Sequence, residues 1–235
     1  MTKWIRSGFL IGLFSTAGAL GACTQPTMAV PADVSGQLEQ LPVTERSAAK
    51  GALAKETFKV APFAVTDVDR EWNSTKTKSI AGFSSEKSAG GYFWGFEGEG
   101  LSAKGQCLIE GSEKSVGLMS GFSMSKKASR IGCGCDFAGT AASVMLNADT
   151  KQKYEGELTT RSGKTLKIKA LYEREGTLNS PDPTGFRVDG DTPLGAVEVI
   201  GLGRIWLDAG MDAADRADLV CLFSGLMLYI PPRDL

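Results

Sequence analysis

Histidine is absent from the 235-residue chain. Its absence removes Ser-His-Asp and Cys-His catalysis, histidine-ligated zinc and imidazole pH switching. An excess of either charge is missing as well. The 26 Lys and Arg against 27 Asp and Glu leave a net of -1, so no basic nucleic-acid face is implied and no nucleic-acid partner is expected. Cofactor and metal signatures are lacking too. Gly95–Gly100 is rich in glycine but does not match a dinucleotide fingerprint. Asp67-Val68-Asp69-Arg70-Glu71-Trp72-Asn73 begins like a calcium loop, yet it lacks the glycine at the sixth place, and Lys78 stands where the closing glutamate belongs. It reads as a solvated loop, and neither a metal nor a cofactor is expected. What remains is 42% hydrophobic and 23% charged, the composition of an ordinary globular domain.

The first 23 residues carry the strongest signal. Lys3 and Arg6 precede an apolar run from Phe9 to Phe14, and small residues follow from Ser15 to Ala22. This is the layout of a cleavable export signal, with an apolar stretch too short to span a bilayer. Leu20-Gly21-Ala22-Cys23 resembles the lipobox of bacterial lipoproteins. The resemblance implies removal of residues 1–22 and covalent lipid at Cys23. Thr24 in place of aspartate implies sorting to the outer membrane. The expected partner is therefore the membrane itself, through that lipid.

Residues 23–55 read as a flexible tether, because Pro26, Pro31 and Pro42 are set among small and polar residues, with a short helix at best over Glu45–Glu56. From 56 to 235 the pattern is that of a single β-rich domain. About twelve short β-branched, aromatic or alternating segments are separated by Gly, Ser, Asn or Asp. The clearest alternation is Leu166-Lys167-Ile168-Lys169-Ala170-Leu171-Tyr172; Tyr92–Glu97, Val116–Met124 and Ala142–Leu146 are further examples. Asp212–Asp218 then looks like a helix start, and Leu219–Ile230 is almost wholly apolar before Pro231 and Pro232 stop it. An element with no polar face belongs in a core. The fold expected is mainly β, a many-stranded antiparallel barrel or sandwich with a buried hydrophobic C-terminal helix.

The last forty or so residues, with Trp206-Leu207-Asp208-Ala209-Gly210-Met211-Asp212 leading into the helix, are similar to the barrels of the Tubby, scramblase and LURP-one families. In those families a hydrophobic C-terminal helix fills a many-stranded barrel. No motif here carries their lipid-binding residues.

Among chemistry-bearing residues, Cys107, Cys133, Cys135 and Cys221 form an even set for an exported chain, with three disulfide connectivities open. Cys133-Gly134-Cys135 also suggests a redox pair, because a direct bridge across one residue would be easily reduced. Ser-x-x-Lys occurs at Ser47/Lys50, Ser84/Lys87 and Ser123/Lys126 without the companion motifs of penicillin-recognising enzymes. Tyr92, Trp94 and Phe96 share one strand face, either as core or as a binding patch for a glycan, lipid or envelope protein. These features point first to a non-catalytic binding or structural role at the envelope. The alternatives are a barrel holding a hydrophobic ligand or lipid, and an envelope redox protein using Cys133/Cys135.

Overall fold

A computed structural model describes residues 26–46, 56–72, 78–80, 83–85, 88–112, 127–149, 151, 153–177 and 179–230. A short helix α1 (Ala32–Gln37) leads into strands β1 (Glu39–Leu41) and β2 (Val43–Thr44). There follow β3 (Phe58–Val60), β4 (Phe63–Trp72), the small hairpin β5 (Lys78–Ile80) and β6 (Phe83–Ser85), β7 (Ser88–Gly98), β8 (Leu101–Ser112), β9 (Lys127–Phe137) and β10 (Thr140–Ala148). β11 (Tyr154–Thr159), β12 (Thr165–Leu171), β13 (Gly185–Asp189), β14 (Pro193–Glu198), β15 (Ile205–Leu207) and the helix α2 (Ala213–Met227) complete the chain.

All strands except β5 and β6 join one 13-stranded antiparallel sheet in the order β1-β15-β14-β13-β12-β11-β10-β9-β8-β7-β4-β3-β2. It curls into a nearly closed barrel. The two strands at its ends are neighbours in sequence, separated by Pro42 alone. One extended passage, 39–44, therefore bonds β15 with its first half and β3 with its second. Proline has no N–H to contribute to a ladder and so suits the crossover point. The arrangement leaves little free sheet edge.

Alternate side chains point inward, as the period of a strand requires. Phe63 and Val65 on β4, Tyr92, Trp94 and Phe96 on β7, and Cys107 and Ile109 on β8 share one core with Ile131, Cys133, Cys135 and Phe137 on β9. α2 occupies the space they enclose and touches β8, β9, β10, β14 and β15. From Ala217 to Met227 every one of its residues is buried. Two glycines make room for the indole of Trp94. A Cβ at Gly105 would lie 1.9 Å from the ring and one at Gly225 would lie 2.4 Å from it. The ring is thus pressed between a bare stretch of wall and a bare stretch of helix. Among the described residues no helix is long and apolar enough to cross a membrane.

Sequence and structure part in several places. Residues 26–46, expected as tether, fold onto the barrel. α1 covers the outer face of β14 and β15, where Met28, Val34 and Leu38 bury Ala196 and Trp206. The domain therefore begins well before residue 56, because apolar groups on the outside of the wall need a cover. The expected loop at 67–73 is a strand through Trp72, bulged between Thr66 and Asp69, so its carboxylates do not encircle a cation. The barrel, not the sandwich, is the architecture. Val116–Met124 and most of the helix expected at 45–56 lie outside the described residues.

Candidate functional site

Tyr92, Trp94 and Phe96 lie inside the wall and are at most 2% exposed, so they form no surface patch. Phe96 stacks on Phe63 with ring centroids 4.8 Å apart and meets Phe137 edge-on at 6.1 Å. These rings are core.

The four cysteines pair as Cys107–Cys133 and Cys135–Cys221. Cys107 and Cys133 stand directly opposite each other on β8 and β9. Two residues further along β9, Cys135 again faces inward and reaches Cys221 in the middle of α2. Alternation along β9 thus gives each cysteine of the pair its own partner, and the direct Cys133–Cys135 bridge does not form. All four are buried.

Both ends of α2 are held by charge from the wall. At its start the Asp212 side chain accepts the Ala214 N–H. Asp218 accepts the Arg161 backbone N–H at 2.8 Å and pairs with its guanidinium. Asp215 accepts from the Ser162 hydroxyl at 3.0 Å and pairs with Lys164. Acids here complement the positive end of the helix dipole. Burial pushes the Asp218 carboxyl up, more than its bonds to Arg161 pull it down. For Asp215 burial acts in the same direction, but the bonds from Lys164 and Ser162 prevail and hold its carboxyl below the usual range.

At the finish of the helix the orphan carbonyls are all answered. The Tyr92 hydroxyl donates to Gly225 O at 2.9 Å. Tyr229 N–H donates to Leu226 O at 3.1 Å. The Arg46 guanidinium donates to Met227 O at 2.6 Å, and that of Arg70 donates to Leu228 O at 2.8 Å. Arg70 in turn pairs with buried Glu56. Burial lowers the Arg46 guanidinium to about 10. No single residue in the sequence announced these clamps, because each depends on a wall residue meeting a helix end far along the chain.

The interior is thus occupied, and the concave feature that stands out lies outside. The outward faces of β10 to β13 form a depression of about 600 Å³. Met145 and Asn147 of β10 line it with Glu155 and Glu157 of β11, Lys167 and Lys169 of β12, and Asp189 of β13. Glu155 stands opposite Lys169 and Glu157 opposite Lys167. Lys169 approaches Asp189 to 3.4 Å, and Arg187 bridges Asp189 and Asp33 of α1. The Lys169–Asp189 pair, whose lysine is half-exposed, contributes little to stability. What these charges provide is a concave, mixed-charge surface suited to polar contacts with a partner. The signal in sequence was Glu-Gly-Glu on one strand and Lys-Ile-Lys on the next, which becomes informative only once their register is known.

Among the described residues no group of three or more Cys, Asp or Glu is placed to hold a metal ion. Ser47/Lys50 and Ser123/Lys126 lie outside the described residues, as does Lys87, the partner of Ser84. No protein-family model matches the chain, and neither curated proteins nor solved structures show a significant similarity to it.

Proposed function

We propose that the chain is an exported protein, lipid-anchored at Cys23 to the bacterial outer membrane, whose barrel serves a non-catalytic binding or structural role. The observation that carries this reading is the occupied interior. A barrel filled by its own helix, disulfide-bonded to that helix and clamped at both of its ends, offers partners its outer surface. The mixed-charge depression on β10 to β13 is a concave part of that surface suited to a protein or glycan. Two buried disulfides support an oxidising compartment, as export would require.

The test is metabolic labelling with palmitate in a bacterial host, followed by membrane fractionation and intact mass. Expected are label on the wild-type chain, a mature mass starting at Cys23 with acyl chains attached, and loss of both in Cys23→Ser. An unlabelled wild-type chain, or a Cys23→Ser variant retained in the membrane to the same extent, overturns the anchor.

A further inference from the structure

We propose that the end of the barrel at which α2 finishes lies against the bilayer, with Leu202 seated among the lipid headgroups. The proposal rests on the lipid anchor at Cys23 and goes beyond it by naming the surface that meets the membrane.

The first argument is the small number of residues between Cys23 and the first one held by the barrel. The chain is already tied down at Thr27. Its hydroxyl donates to Glu175 at 2.8 Å, its carbonyl accepts the Glu175 N–H at 3.0 Å, and Ala29 N–H donates to Glu173 O at 3.1 Å. The Met28 side chain is fully buried; its N–H is bonded to Glu198 and its carbonyl to Arg204. Cys23 is four residues before Thr27, and at ~3.6 Å per residue that span reaches about 14 Å at most. The lipid and this end of the barrel are therefore neighbours.

The second argument is what that end presents. Glu198 and Arg204, which hold Met28, flank the turn between β14 and β15. Gly201 and Gly203 on that turn have φ of 57° and 77°, a region open to glycine, and between them they project Leu202 outward. Leu202 is 50% exposed, the one large apolar side chain so placed among the described residues. An apolar group beside a lipid attachment point gains by entering the interface.

The third argument is the opposite end. The turns between β7 and β8, β9 and β10, and β13 and β14, together with the approach to α2, all lie there because antiparallel neighbours alternate. They carry Glu99, Asp191, Asp208 and Asp212, and Asp136 near the end of β9 accepts the Gly139 N–H of its turn, whereas the nearby Arg161 and Lys164 are engaged by Asp218 and Asp215. The end beside Cys23 also carries Glu173, Glu175 and Glu198, but Arg204 there pairs with Glu175 and Glu198. The excess of acids at the opposite end is repelled by anionic lipid and turns that end away.

The experiment uses the full lipidated chain in vesicles of phosphatidylethanolamine and phosphatidylglycerol, with or without brominated acyl chains. Leu202→Trp and Ala209→Trp are compared with wild type for flotation and for quenching of the added emission. Both variants are expected to float, with the added emission of Leu202→Trp quenched and that of Ala209→Trp unchanged, since only a side chain at the headgroup–acyl boundary comes within reach of bromine on the acyl chains. A parallel measurement on the unaltered chain follows hydrogen exchange, which vesicles are expected to slow over 199–204 and leave unchanged over 208–212. Flotation with Leu202→Trp unquenched, or with both variants quenched alike, overturns the orientation and leaves the anchor standing. Failure of the wild-type chain to float overturns the anchor and the orientation with it.

Discussion

The hydroxyl of Tyr92, on the inner face of β7, donates to the carbonyl of Gly225 in the last turn of the buried helix, 133 residues further along the chain, at 2.9 Å. The same phenol lies under the Arg70 guanidinium, 5.3 Å from ring centroid to carbon. One side chain thus joins wall, helix end and buried charge. Tyr92→Phe keeps the ring and removes the donor. Gly225 O still accepts the Leu228 N–H at 3.0 Å, so the expected loss is about 1 kcal/mol, the ordinary net worth of one hydrogen bond. A urea unfolding midpoint lowered with an unchanged slope would bear this out. No change in midpoint would show that the contact adds nothing.

All four tyrosines of the chain titrate high. Burial is the first cause in each. It pushes Tyr172 up to about 12, raises Tyr154, and carries Tyr92 and Tyr229 well above the normal phenol range. An unfolded phenol ionises near 10. A folded pKa above the unfolded value gives stability that is complete below about pH 10 and is lost as pH climbs toward the folded value. Absorbance at 295 nm is therefore expected to stay flat through pH 10 and then rise together with loss of far-UV circular dichroism. A tyrosinate transition centred near 10 in a chain that keeps its β signal would contradict the burial of these rings.

The two disulfides differ in span. Cys107 and Cys133 are 26 residues apart, and Cys135 and Cys221 are 86 apart. Loop-closure entropy assigns about 3.5 kcal/mol to the first and about 4.5 kcal/mol to the second. The Cys135→Ala/Cys221→Ala double variant is expected to destabilise the barrel more than Cys107→Ala/Cys133→Ala, since it also frees the helix from the wall. Denaturation of the two double variants checks the order. Peptide mapping without reduction checks the pairing, and a Cys133–Cys135 peptide would disprove it.

Much of the wall could be read directly from local pattern. Leu166–Tyr172 alternates apolar with charged residues, and the strand found spans Thr165–Leu171. α2 was legible because an apolar run bounded by an acidic start and two prolines has few other places to go. The closing strand was not legible. Its two pieces, of three and two residues, are too short to show a period, and their stability comes from partners more than 160 residues away in one case, Glu39 to Leu207. The aromatic triplet was ambiguous for a similar reason: a strand face says nothing about which side is wet until the sheet has curled. Cysteine connectivity and the outer depression both required register, which composition does not carry.

The crossover at Pro42 has a consequence for the order of assembly. The passage 39–44 is among the first parts of the domain to be made, and half of it bonds to β15, which is among the last. Hairpins from β7 to β13 can form as they emerge, since each pairs with its immediate successor. The ring cannot shut before residue 207 has been synthesised, and the helix that fills it follows later still. Long-range closure of this kind is slow, and until it happens the inner face of the wall stands open. Such a late lock holds the finished fold back until nearly the whole domain has been made.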